Sequence, residues 1–221
     1  MSIAIIDYGS GNLRSVAKAF EHVAALPVTI TRAPQALAAA SHIVLPGVGA
    51  FGDCMRGLMA LSGMLEALEE QVRGRKKPFL GICVGMQMLF ARGHEHGEHA
   101  GLGWLEGEVA GIRDSGFGIR EKLAPTESPI PNPQSLKIPH MGWNELTIPA
   151  PHPLLSGLAS GAHAYFVHSY HAVGSRDVIA TTDYGQSIAA VVAKDNIMGT
   201  QFHPEKSQQT GLRLLQNFVS L

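Results

Sequence analysis

Cys83 stands in Leu80-Gly81-Ile82-Cys83-Val84-Gly85-Met86-Gln87, where an apolar run meets a helical pattern and a glycine lies two residues to either side of the sulfur. This is the spelling of a nucleophile elbow, a strained strand-to-helix turn that needs hydrogen-sized neighbours and sets the sulfur at a helix N-terminus, where a thiolate is favoured. The same spelling also suits an inert cysteine packed between a core strand and its helix, so a base and an acid elsewhere must decide. Gly199-Thr200-Gln201-Phe202-His203-Pro204-Glu205-Lys206-Ser207 supplies both. If that segment is extended, His203 and Glu205 leave the same side of the backbone. The carboxylate can then fix the imidazole tautomer, and His203 can take the thiol proton of Cys83. Pro46-Gly47-Val48-Gly49 can present backbone N–H groups without side-chain obstruction. Such donors would meet the negative charge that grows on an amide oxygen under attack by Cys83. The chain order of nucleophile, His, acid differs from the nucleophile, acid, His order of serine hydrolases with this elbow.

The elements that must position these residues alternate. Apolar runs and helical patterns predict strands over 2–7, 28–32, 42–45 and 78–82, with helices over 13–24, 33–40, 53–73 and 84–92. Such βαβ alternation implies a doubly wound, mostly parallel sheet flanked by helices, with an active site at the carboxyl ends of the strands. Cys83 and Pro46 to Gly49 both fall at such ends. Further strands are predicted over 108–112, 134–139, 165–173, 178–184, 188–193 and 197–202, so the sheet becomes mixed, and a helix over 208–219 closes the chain. Residues 115–135 hold four prolines with little periodicity and read as an irregular surface excursion.

A chain of 221 residues fits a single α/β domain over 1–221, and 45% hydrophobic content with a formal charge of −1 carries no electrostatic footprint for nucleic acid. The first residues lack a positively charged leader and meet Asp7 early. No apolar run approaches the roughly 18 residues of a membrane span, so a cytoplasmic location is expected. The two cysteines, Cys54 and Cys83, are expected to remain unpaired, with Cys54 a packed small residue. Gly9-Ser10-Gly11 lacks the third glycine of a dinucleotide fingerprint, since position 14 is Arg14. His94, His96 and His99 lie in a glycine-rich loop without a structural zinc pattern and read as solvated. His168 and His171 read as structural histidines. Neither metal nor cofactor is expected.

The elbow together with Phe202-His203-Pro204-Glu205-Lys206-Ser207 resembles the class I, triad-type glutamine amidotransferases, which have a flavodoxin-like fold, hydrolyse the glutamine side-chain amide and hand on ammonia. Asp7-Tyr8-Gly9-Ser10-Gly11-Asn12, Pro46-Gly47-Val48-Gly49-Ala50-Phe51 and Pro139-His140-Met141-Gly142-Trp143-Asn144 resemble those members that serve histidine biosynthesis. The resemblance implies a triad of Cys83, His203 and Glu205, with oxyanion donors at Val84 and in Gly47, Val48 and Gly49. A mobile peptide at Val48 would let a loaded partner switch that hole on. Gln87 and Glu95 would grip the polar ends of glutamine, and backbone at Ser169 and Tyr170 would meet its carboxylate. Gly93-His94-Glu95-His96 departs from the Ser-Glu-Glu pattern of the family at this point. Asn12, Trp143, Asn144 and Lys206 would face the partner, a (β/α)₈ cyclase subunit that makes imidazole glycerol phosphate and AICAR. Open beside this stand a glutaminase of another synthase, such as that for pyridoxal phosphate, and a binding subunit whose Cys83 is structural.

Overall fold

The computed structural model describes residues 1–112 and 136–221; the excursion expected over 115–135 lies outside them. A seven-stranded sheet is built from β1 (Ile3–Ile6), β2 (Val28–Thr31), β3 (His42–Gly47), β4 (Phe79–Cys83), β11 (Val178–Asp183), β12 (Ser187–Lys194) and β13 (Ile197–Thr200), in the order β11-β12-β13-β4-β3-β1-β2. The five strands from β13 to β2 are parallel, while β12 and β11 continue antiparallel at one edge. Central strands of such a sheet are covered on both faces and therefore read as continuous apolar runs. Every residue of β1, β3 and β4 is buried.

Helices α1 (Leu13–Val23), α2 (Gln35–Ala39), α3 (Phe51–Met59), α4 (Met64–Leu68), α5 (Val84–Gln87) and α6 (Gln208–Val219) flank the sheet. Val16, Ala17, Ala19 and Phe20 bury one face of α1, and Gly211, Leu214, Leu215 and Phe218 the matching face of α6. The two helices meet at Phe20 and Phe218, with ring centroids 6.0 Å apart. A helical stripe of this kind is held by core burial more than by local propensity.

Several sequence expectations need correction. The helix expected over 53–73 is interrupted at Gly63, whose φ of 76° is left-handed, and ends in a π-helical turn at Glu69–Gly74. Glycine takes that conformation without a Cβ clash, so the chain turns there. The helix expected over 84–92 stops at Gln87. Met88, Leu89 and Phe90 are buried without a solvent face, and the carbonyls of Met88 and Leu89 accept from the N–H groups of Leu102 and Trp104. Beyond them β5 (Arg92–Gly93) and β6 (His99–Ala100) form an unexpected hairpin in a second sheet, ordered β10-β7-β5-β6, with β7 at Glu108–Gly111 and β10 at Tyr170–Val173. The strand expected over 165–173 is divided at Ser169: β9 (His163–His168) pairs with β8 (His140–Glu145), whereas β10 joins β7. Nor does a strand occupy 136–139, the described part of the one expected over 134–139. It begins at His140, after Pro139, which has no N–H to donate to a ladder. Among the described residues no helix is long and apolar enough to cross a membrane.

Candidate active site

Cys83 closes β4 immediately before α5 with φ 55°. A residue with a side chain held in such a sparsely populated region costs about 1–3 kcal/mol and persists only where its surroundings over-determine it. Backbone contact does so here. A Cβ on Gly81 would lie 2.5 Å from the carbonyl oxygen of Gly85, and one on Gly85 would lie 1.8 Å from that of Leu45 in β3. The strand, the elbow and the neighbouring strand therefore touch through their main chains, and Gly47 sits in register with Cys83. Both cysteines are free and buried.

His203 follows β13, the strand paired with β4. Its N–H donates to the Tyr165 carbonyl at 3.0 Å and its carbonyl accepts from Ser207 Oγ at 2.7 Å, so the backbone is held at both ends. The segment is not extended through Glu205. A 3-10 turn at Pro204–Lys206 follows His203, with proline at the first helical position, where its missing N–H goes unused. This turn brings Glu205 Oε1 to 3.0 Å from His203 Nδ1, both side chains being almost wholly buried. Cys83 lines the same cavity as the imidazole and acts on its protonation. Burial alone works against a charged His203. The neighbouring Cys83 and the hydrogen-bonded Glu205 carboxylate outweigh it and raise the pKa from 6.5 to about 10. His203 is thus built to hold a proton between a sulfur and a carboxylate. Glu205 Oε2 is buried with no hydrogen-bond partner, which ties the carboxylate charge to the imidazolium.

A cavity of about 270 Å³ opens beside Cys83, with Val48, Gly49, Val84, Gln87, Glu95, Ser169, Tyr170 and His203 among its walls. A larger hollow of about 1120 Å³ runs along α3, α4 and β6, but neither Cys83 nor His203 lines it. Gln87, 2% exposed, donates both amide hydrogens inward, to the Tyr170 carbonyl at 2.9 Å and to Gln201 Oε1 at 3.0 Å. Only its carbonyl oxygen is left for a ligand, an acceptor suited to an ammonium group. Glu95 Oε2 accepts from the Phe51 N–H at 2.8 Å, at the start of α3, which anchors the carboxylate at the cavity rim. The Ser169 carbonyl accepts from the Ile112 N–H.

The N–H groups of the proposed oxyanion stretch do not all face the cavity. Val48 donates to Ser10 Oγ at 3.3 Å, while its carbonyl accepts from the Ser10 hydroxyl and, at 3.6 Å, from Cys54 Sγ. The Val84 N–H is the first of α5 and has no intrahelical acceptor. Tyr8 donates to the Pro46 carbonyl at 2.8 Å, and burial holds this hydroxyl protonated well above its usual range.

Trp143 and Lys206 gather around Tyr165. Trp143 is 47% exposed and meets the Tyr165 ring edge-on, and Lys206 Nζ lies 5.9 Å from the ring centroid. Asn12 stands at the N-cap position of α1 without a side-chain cap hydrogen bond, next to Gly11, which packs on Pro46. Asn144 points the other way: its amide donates to the Asp183 carbonyl at 2.8 Å and approaches His140 Nε2 at 3.2 Å. Strand alternation puts Met141 and Trp143 outside and His140 and Asn144 inside. His94 pairs with Glu108, and the His99 ring lies over Gly52. The residue that sequence reasoning missed is Gln201, whose Nε2 lies 3.8 Å from Cys83 Sγ. It stands two residues before His203, just past the end of β13 at Thr200.

The model of the family "Glutamine amidotransferase class-I" matches residues 4–221. The imidazole glycerol phosphate synthase subunit HisH of Bradyrhizobium diazoefficiens is 51% identical, with 99% of this chain and 98% of that protein covered. The HisH subunit of Cereibacter sphaeroides is 48% identical over 100% of this chain and 99% of that protein. Among solved structures, a glutamine amidotransferase superposes with a TM-score of 0.71 at 16% identity, covering 100% of both chains. PurLQS from Thermotoga maritima gives 0.69 at 18%, covering 99% of this chain and 97% of that one, a likeness of fold alone. This chain therefore belongs to the class-I glutamine amidotransferases, and within them to the family of imidazole glycerol phosphate synthase HisH subunits.

Proposed function

We propose that Cys83, His203 and Glu205 hydrolyse the side-chain amide of glutamine, and that the ammonia passes to a (β/α)₈ cyclase subunit of imidazole glycerol phosphate synthase. The observation that carries this reading is the buried His203–Glu205 pair at 3.0 Å, lining one cavity with a cysteine in strained backbone. His203 takes the thiol proton of Cys83, and the thiolate attacks the glutamine carbonyl. The tetrahedral oxyanion forms beside the Val84 N–H, and the Gly47 to Gly49 stretch adds its donors once the Val48 peptide turns from Ser10. His203 gives its proton to the leaving nitrogen, and ammonia departs. Water, deprotonated by His203, then adds to the thioester and releases glutamate. Gln87 Oε1 and Glu95 suit the substrate ammonium, and backbone at Ser169 and Tyr170 suits its carboxylate.

Ammonia released into bulk water is protonated and lost as a nucleophile, so direct transfer to a partner follows from the chemistry. Exposed Met141 and Trp143, with Tyr165 and Lys206 beside them, form the surface best suited to receive that partner. The test compares glutamine with ammonium as nitrogen donor, using the complex with the cyclase in wild type and Cys83→Ala. The variant loses the glutamine-driven reaction and keeps the ammonium-driven one. Equal glutamine turnover in both would remove Cys83 as the nucleophile.

A further inference from the structure

A directed series of hydrogen bonds ends on the sulfur of Cys83. The Tyr170 carbonyl can only accept, so the Gln87 group 2.9 Å away is the nitrogen. The second hydrogen of that nitrogen meets Gln201 at 3.0 Å, which must present its oxygen there and turns its own nitrogen to Cys83 Sγ, 3.8 Å away. One backbone carbonyl thus orients two buried amides. The same carbonyl lies 2.9 Å from His168 Nδ1, so that nitrogen carries a hydrogen. Burial pushes the His168 pKa down to about 3 and that of His140 down to about 4, keeping both rings neutral. His168 Nε2 is then an acceptor and receives His140 Nδ1 at 3.0 Å, while His140 Nε2 receives Asn144. Each donor in the series has an acceptor, and no member can reverse without setting two donors or two acceptors face to face.

We propose that Gln201 is a catalytic residue of this glutaminase, an amide N–H donor to the Cys83 sulfur, with Gln87 as the positioning residue that fixes its orientation and His168, backed by His140, holding in place the Tyr170 carbonyl that orients Gln87. This rests on Cys83 being the nucleophile. The donor acts at both stages. It stabilises the thiolate before attack, and it receives the sulfur again when the oxygen of water bonds to the thioester carbon, its proton goes to His203, and the C–S electron pair returns to sulfur. Unlike His203, an amide keeps its hydrogen throughout, so it favours anionic sulfur without competing for the proton. The titratable groups acting on Cys83 are His203 after β13, with Glu205 behind it, Tyr8 after β1 and Cys54 on α3.

The test is the pH dependence of iodoacetamide alkylation of the full chain, read separately at Cys83 and Cys54 by peptide mass spectrometry. Gln201→Met raises the apparent thiol pKa of Cys83 by about one unit and slows its alkylation at neutral pH about tenfold, since a hydrogen bond to a charged group is lost. Cys54 labelling stays at its wild-type rate, which separates this effect from loosening of the fold. His168→Leu shifts Cys83 in the same direction by less, and the double variant shifts it no further than Gln201→Met. Because His168 does not touch the sulfur, its effect tests the proposal even if position 201 tolerates no change. An unmoved Cys83 titration in both single variants, or fully additive shifts, overturns the role of Gln201. Glutamine turnover retained by Cys83→Ala in the complex would instead overturn the nucleophile beneath it.

Discussion

Replacing Glu205 by Gln isolates the charge behind the proton on His203. The glutamine amide has nearly the shape of the carboxylate, and its oxygen can still accept from Nδ1 across the 3.0 Å contact. The imidazolium keeps a hydrogen bond but loses an opposite charge within hydrogen-bond reach, which lowers its pKa by about one unit or more. The new NH₂ falls where Glu205 Oε2 lies, a buried position without a partner. That adds a desolvation cost of about 1–3 kcal/mol to the folded state. In the wild type the His203 pKa is raised from 6.5 to about 10. Its stabilisation is therefore complete below pH 6.5 and lost as pH rises through about 10. In Glu205→Gln that loss begins about one unit lower. Ring-labelled NMR titration of His203, beside urea unfolding at each pH, reads both effects. An unchanged His203 titration in a folded variant would refute the charge argument.

The buried histidines predict a stability optimum. His140, His168 and His171 have pKa values lowered by burial from 6.5 to about 4, 3 and 4, so the stability they contribute is present above pH 6.5 and lost as pH falls toward these values. His203 acts in the opposite sense above 6.5. Urea unfolding should be most resistant near pH 6.5, and a continuous rise of stability toward alkaline pH would contradict the assignment of His203. At the outer surface, Trp143→Ala should cost the free chain less than about 1 kcal/mol, since Trp143 is 47% exposed. The same change should weaken the complex with the cyclase by about 2 kcal/mol, roughly thirtyfold in Kd, measured by calorimetry; an unchanged Kd would take Trp143 out of the interface.

The sequence by itself determined the parallel half of the sheet and the elbow. Strands covered on both faces must be apolar runs, so β1, β3 and β4 can be read locally within about a residue or two at each end. Gly81 and Gly85 are equally legible, because a Cβ at either would enter the backbone of a neighbour and no other residue type fits. Tertiary structure decided what depends on partners distant in the chain. Ser169 divides two strands only because β8 and β7 compete for the segments on either side of it. The chain after Gln87 leaves its helix because residues 102–104 capture its carbonyls. Asn144 faces inward through the register of β8 on β9, where a slip of one residue would exchange the two faces. Gln201 reaches Cys83 across 118 residues and is oriented by a carbonyl 83 residues beyond Gln87. Hydrogen-bond direction is a property of the assembled network, since each amide is turned by its neighbour rather than by its own place in the chain.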